Sequence, residues 1–248
     1  MTDRLQNILS HAGVASRRGA AAIIESGRVT VDGLAVREPG ARFDAGAAEI
    51  RVDGKAIRQR EAKRTIMLYK PAGTLSSMSD PFGGRTVADI VKTPERLVPV
   101  GRLDKDSEGL LLMSNDGDLT LRLTHPRYGH EKTYVVRVAG RWSAEKLATL
   151  RGPVTMPDGY TVRPVPVKVL ETRADNTATL EFRLREGRKR QIRYMCSAAH
   201  LVVLSLKRVA IGGLRLDARL KSGEWRDLTP AEIGMLTESR DARPGNMI

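Results

Sequence analysis

VPVGRLDKDSEGLLLMSNDG, residues 98–117, joins a charged turn to an apolar run. Its second half, LLLMS (110–114), reads as a strand, and so do TIMLY (65–69), KTYVVRV (132–138) and ATLEFRLR (178–185) on either side of it. In the last of these Ala178, Leu180, Phe182 and Leu184 alternate with Thr179, Glu181, Arg183 and Arg185, the pattern of a half-buried antiparallel strand. Asp175-Asn176 supplies a turn just before it. Helical spacing is confined to about 116–124, 143–150 and 188–200, plus a short helix opened by Thr229-Pro230, where Glu232 completes a capping box. These strands and helices predict an α+β domain on a mainly antiparallel sheet.

Residues 58–64, RQREAKR, are charged and aperiodic and read as a linker. Ahead of them, Leu5, Ile8, Leu9 and Ala12 recur at helical spacing, and Ser16 is a good N-cap for a second helix ending near Gly27. RVTVDGLAV then reads as a hairpin turning at Asp32-Gly33. The expected organisation is a small domain over 1–60, a larger one over 61–240, and a frayed tail over 241–248.

The chain has 248 residues and a formal net charge of +13, which points to a polyanionic partner. A basic enzyme with no nucleic-acid partner is the competing reading of charge alone. A single cysteine, Cys196, excludes an internal disulfide, and the four histidines lack metal-ligand spacing. The polar first residues and the lack of a long apolar run predict a cytoplasmic protein with no membrane partner. No motif calls for a metal or other cofactor.

Three segments carry residues suited to chemistry. Asp104 lies between Arg102 and Lys105, immediately ahead of the 110–114 strand. Flanking cations favour an ionised carboxylate, and such a group, partly desolvated, serves as nucleophile or base. An ordinary salt-bridged loop aspartate is the alternative; it suits Asp106, Asp116 and Asp118 better, with Asp116-Gly117 reading as a turn. In REGRKRQIRYMCSAAH (185–200), Ile192, Met195, Cys196 and Ala199 form one apolar face, and Arg188, Lys189, Arg190 and Arg193 crowd the helix start. They form either a solvated basic face or phosphate contacts, with Arg193 turned inward to pair with a buried carboxylate. In HEKTYVV (130–136), Tyr134 is either a core tyrosine or a ring that stacks on an extruded base. Gly83-Gly84 in DPFGGRT is no phosphate-binding P-loop, because no GK[ST] follows.

Taken in order, these segments resemble the RsuA/RluB group of bacterial ribosomal RNA pseudouridine synthases over nearly the whole chain. RLQNILSHAGVASRRGAAAIIESGRVTVDG is similar to the group's S-four-like RNA-binding domain, and MLYKPAGTLSSMSDPFGGRTVADI to its opening catalytic strand and loop. GRLDKDSEGLLLMSNDG is similar to its catalytic motif, and EGRKRQIRYM with LKRVAIGGLRL to its closing motif. The resemblance implies conversion of a uridine to pseudouridine without a cofactor. Asp104 would be the nucleophile, Tyr134 would stack on the flipped uracil, and Arg193 would hold Asp104 ionised and aimed. Arg102 and Ile192 would line the substrate pocket. RNA contacts would come from Arg4, Ser16, Arg17, Arg18, Arg28, Arg188, Lys189, Arg190, Lys207 and Arg208. The implied partner is ribosomal RNA or an assembly intermediate, met by a monomer. Ser107 stands where the group often has threonine, and Tyr194 where a second arginine is frequent. SDPFGGRTVADI leans towards the large-subunit (23S) branch, whereas HEKTY also suits the small-subunit (16S) branch. A non-catalytic ribosome-assembly factor and a transfer-RNA modifier are the other readings.

Overall fold

The computed structural model describes residues 2–57 and 62–237. It divides into two compact units, Met1–Arg64 with Thr93–Arg96, and Thr65–Lys92 with Leu97–Ile248. Most of the expected linker and all of the expected tail lie outside the described residues.

The first unit runs β1 (Thr2–Arg4), α1 (Leu5–His11), α2 (Arg17–Glu25), β2 (Val29–Val31), β3 (Leu34–Val36), β4 (Arg42–Asp44), β5 (Ile50–Val52) and β6 (Lys55–Ala56). The Ser16 hydroxyl accepts from the Gly19 N–H at 3.0 Å and starts α2 as the sequence predicts. Asp32 and Gly33 both take positive φ, 49° and 82°, the geometry of a tight primed hairpin turn. The unit holds more than two helices and a hairpin: β3-β2-β5-β6 form a four-stranded sheet, and β1 pairs with β4. A second Asp-Gly turn, Asp53-Gly54, links β5 to β6. Leu5, Leu9, Ile24 and Val29 are fully buried in its core.

The second unit runs β7 (Thr65–Lys70), α3 (Val87–Ile90), β8 (Val98–Val100), β9 (Glu108–Ser114), α4 (Gly117–Thr124), β10 (Lys132–Ala139), α5 (Ala144–Arg151), β11 (Val154–Thr155), β12 (Thr161–Val162), β13 (Val167–Thr172), β14 (Thr177–Leu184), α6 (Gln191–Ala198), β15 (Val202–Ile211), β16 (Leu214–Arg215), β17 (Trp225–Asp227) and α7 (Pro230–Thr237). The main sheet has the order β13-β14-β10-β15-β9-β7-β17 and is antiparallel except where β15 runs parallel to β9. This is the α+β architecture the sequence predicts. β7 and β9 are buried on both faces. Ile66, Leu68, Leu111 and Met113 enter one core; Met67, Leu110 and Leu112 enter the other. That two-sided burial explains why their sequences are continuous apolar runs instead of alternating ones.

Local signals place most helices within a residue or two. Asp116, expected in a turn, instead caps α4 by accepting from the N–H groups of Asp118 and Leu119. Thr229 and Glu232 form the expected box ahead of α7. The helix expected over 188–200 is shorter, because Arg190 takes a left-handed φ of 58° and α6 begins only at Gln191. Among the described residues no helix is long and apolar enough to cross a membrane.

Candidate active site

The Asp104 segment lies between β8 and β9, where the chain makes a β-turn closed by the Ser107 N–H donating to the Asp104 carbonyl at 3.0 Å. Beneath it is a lysine that is not among the candidates drawn from the sequence. Lys70 ends β7 with no exposure, and its ammonium donates to the carbonyls of Pro71 (2.9 Å), Asp104 (3.2 Å), Lys105 (3.2 Å) and Ser107 (2.7 Å). Burial lowers its pKa to about 8, against the opposing pull of Asp106 and Asp104. Its one signal in the sequence is a charge closing the apolar run TIMLYK just before Pro71.

On the other side of β9, Arg208 is 2% exposed. Its Nε donates to the Leu110 carbonyl at 2.8 Å and its Nη1 to the Arg102 carbonyl at 3.4 Å. The resemblance implies an RNA-facing Arg208; in the structure its guanidinium ties the two ends of the Asp104 segment to β15, and the residue also lines the cleft above them. The strands meet here at Gly109, whose φ is 104° and where an added Cβ would stand 2.3 Å from the Arg208 carbonyl oxygen. Only glycine permits that approach, which accounts for the glycine in DSEGLLL.

A cleft of about 950 Å³ opens over this scaffold, lined among others by Arg102, Asp104, Lys132, Tyr134, Ile192 and Arg193. Tyr134 lies on β10 between Phe182 and Arg208 in register and is 8% exposed. Ile192 is buried at the start of α6. Lys132, two residues from Tyr134 on the same strand face, donates to the His130 carbonyl at 2.9 Å. Burial, helped by the charge of Arg208, lowers its pKa to about 8. Lys132 carries no marker in the sequence beyond its place in HEKTY. Cys196 is no candidate nucleophile: burial pushes its thiol up to about 12.

The three residues expected at the chemical centre all line this cleft, but one expected pairing is absent. Arg193 makes no ion pair with Asp104; its Nη2 donates to the Asp106 carbonyl at 3.1 Å, and its Nε is buried without a partner. The turn presents its Asp106 peptide oxygen to α6, so the guanidinium meets the backbone first. The Asp104 carboxylate itself has no hydrogen-bond or ion-pair partner among the described residues. It is half-buried at the cleft surface.

The other expected RNA contacts are distributed unevenly. Arg188 stacks on Tyr160, 3.3 Å from the ring centroid, and reaches Asp158 at 3.3 Å. Tyr160 and Gln191 both bond Glu186, making a fixed wall of the cleft. Lys189 is exposed along the same wall, and Arg190 approaches Asp106 at 3.9 Å. Lys207 lies outside the cleft, 4.3 Å from the Tyr69 ring centroid. In the first unit Arg4, Arg17 and Arg18 are exposed, Ser16 is engaged as a cap, and Arg28 is paired bidentately with Asp53.

Residues 64–198 match the family model described as RNA pseudouridylate synthase, and residues 3–48 match that of the S4 domain. The chain is 39% identical over 241 residues to the ribosomal large subunit pseudouridine synthase B of Bacillus subtilis, covering 96% of this chain and 97% of that one. It is 36% identical over 252 residues to the protein of the same name from Vibrio vulnificus, covering 98% and 77%. A solved pseudouridylate synthase crystal structure superposes with a TM-score of 0.67 at 28% identity, covering 94% of this chain and 99% of that one. An S4 domain ahead of an antiparallel catalytic sheet, matched over nearly its full length by these relatives, places the chain in the RNA pseudouridylate synthase family, as an isomerase that binds RNA.

Proposed function

We propose that the chain isomerises a specific uridine of large-subunit ribosomal RNA to pseudouridine, with Asp104 as nucleophile. The observation that carries this is a carboxylate without any protein partner among the described residues, at the surface of a large cationic cleft. A structural aspartate would be tied into the ion pairs around it; Asp104 holds its loop through its backbone and leaves its side chain uncommitted. The uracil N1–C1′ bond breaks, Asp104 holds the ribose carbon or promotes its release, and the base turns so that C5 bonds C1′. The C5 proton leaves and N1 gains one, so atoms and charge balance without a cofactor.

Tyr134 supplies a ring against which the extruded base stacks, and Ile192 walls the pocket. Stacking and phosphate contacts offset the few kcal/mol that base extrusion costs. Arg193 acts on Asp104 once substrate fills the cleft, since its Nε–H is uncommitted and catalytic hydrogen bonds tighten in the substrate complex. The large-subunit reading rests on the named relatives in Bacillus subtilis and Vibrio vulnificus. It is tested by incubating the protein with unmodified 23S and 16S rRNA transcripts. Pseudouridine at one position of the 23S transcript alone is expected; modification confined to 16S would reassign the target.

The first unit serves as a separate phosphate-binding module through the exposed Arg17 and Arg18 at the start of α2. Reversing both charges (Arg17→Glu with Arg18→Glu) is expected to weaken RNA binding and to lower the slope of log affinity against log salt. The slope should fall by about 0.7 for each single-strand phosphate that is no longer neutralised. An unchanged slope in a titration from low to moderate salt would remove these residues from the interface.

A further inference from the structure

We propose that Phe82 is a base-stacking contact for the RNA strand that runs outside the cleft. This rests on the RNA-modifying reading above and adds to it a recognition element on a different loop. Phe82 is 93% exposed, more than any other large apolar side chain among the described residues. A single exposed apolar residue is ordinary by itself; the loop that presents this one is not loosely built. The Asp80 carboxylate accepts from the Gly84 N–H at 2.7 Å, and the Gly83 N–H donates to the Asp80 carbonyl at 3.3 Å. Gly83 turns with a φ of 74°. Below this turn, Leu75 and Thr86 form a bridge, with the Leu75 N–H donating to the Arg85 carbonyl at 2.9 Å. DPFGGRT, which is no P-loop, is thus a fixed turn with an aromatic ring at its tip.

The root of the loop is bonded to the Asp104 segment. The Ser76 hydroxyl donates to the Leu103 carbonyl at 2.9 Å and accepts from the Leu103 N–H at 3.0 Å. The Gly73 N–H donates to the Lys105 carbonyl at 2.8 Å. Phe82 follows Ser76 by six positions, so its Cα lies within roughly 20 Å of that anchor, a few nucleotides along a strand whose uridine is at Asp104. Chemistry favours a nucleobase over an apolar protein surface as the occupant. Arg85 is exposed on the same turn, Arg102 and Lys105 are exposed on the neighbouring segment, and the whole chain carries +13. A second copy would bring like charge to that face. An RNA base brings a π-face for the ring and phosphates for the cations, and a ring already fixed in place loses little freedom on stacking.

The test uses full-length protein with an equimolar mixture of unmodified 23S and 16S rRNA transcripts. Phe82→Ala is expected to lower kcat/KM on the order of 5- to 100-fold, the range for removing one base–aromatic stack, with kcat at saturating RNA within about twofold. Phe82→Trp should retain activity, and RNA should quench the emission of the new indole over the background of Trp142 and Trp225. Phe82→Leu should stay as weak as Phe82→Ala. Wild-type kinetics for Phe82→Ala, full rescue by Phe82→Leu, or loss of a dimer on Phe82→Ala in sedimentation would each overturn the proposal. If the wild type bound both transcripts but modified neither, the synthase assignment would fail while the quenching result still decided the role of Phe82.

Discussion

Asp104→Asn is expected to leave the protein folded and bound to RNA while lowering pseudouridine formation on the order of 10⁴-fold or more. The size of the effect follows from the role, because an amide cannot act as the nucleophile that a carboxylate is. The intactness of the fold follows from the structure. Everything that fixes residue 104 is made by its backbone: its carbonyl accepts from Lys70 and from the Ser107 N–H. The carboxylate makes no hydrogen bond or ion pair among the described residues, so its isosteric replacement strands no partner. Single-turnover assays together with a melting curve check both halves. Near-wild-type turnover from a folded Asp104→Asn protein would remove Asp104 from the chemistry, and a large fall in Tm would mark it as structural.

Lys70→Met is expected to have the next largest effect, acting on stability and on rate. The substitution keeps an unbranched side chain one atom shorter and leaves the carbonyls of Pro71, Asp104, Lys105 and Ser107 without their common donor. With stranded acceptors costing about 1–3 kcal/mol each and some relaxation, a net loss of about 3 kcal/mol is expected. For a unit of this size that lowers Tm by about 6–12 °C. The turn would also lose its aim, and a displacement on the order of 1 Å at the reacting groups costs about 10²-fold in rate. Because the folded pKa of Lys70 is about 8 against 10.5 in the unfolded chain, both states are charged below pH 8 and the cost of burying the charge is then complete. Between pH 8 and 10.5 the unfolded chain holds more protons, so this group's contribution to stability rises with pH. The gap in stability between wild type and Lys70→Met should therefore widen across that window. A gap that is flat or closes would contradict the assignment.

Local features of this molecule are legible in its sequence and tertiary ones are hidden. Ser16 and Thr229 act through neighbours three residues away, and the Asp32-Gly33 turn is set by its own backbone dihedrals, so spacing alone places them. The runs 65–69 and 110–114 are visible as strands because two buried faces require unbroken apolar sequence. By contrast β15 reads as a mixture of charged and apolar residues, because Lys207 and Arg208 meet different environments on its two faces. Its parallel pairing with β9 brings together residues about a hundred positions apart, which no local pattern encodes. Lys70 and Arg208 are hard to read for the same reason: a cation whose partners are backbone carbonyls far along the chain leaves no complementary acid in the sequence. Of the residues named from the resemblance, Arg102, Asp104, Tyr134, Ile192 and Arg193 line one cleft, whereas Lys207 lies outside it and Arg193 meets the Asp106 carbonyl and not the Asp104 carboxylate. That distinction depends on where α6 starts, and the left-handed Arg190 sets that start.

The measurement that tests the central claim most directly is pseudouridine mapping across ribosomal RNA from cells lacking this protein, complemented with wild type or with Asp104→Asn. The account predicts one missing position, in 23S rRNA, restored by wild type and left unmodified by Asp104→Asn. A complete set of pseudouridines in the deletion strain, or restoration of the missing one by Asp104→Asn, would contradict it.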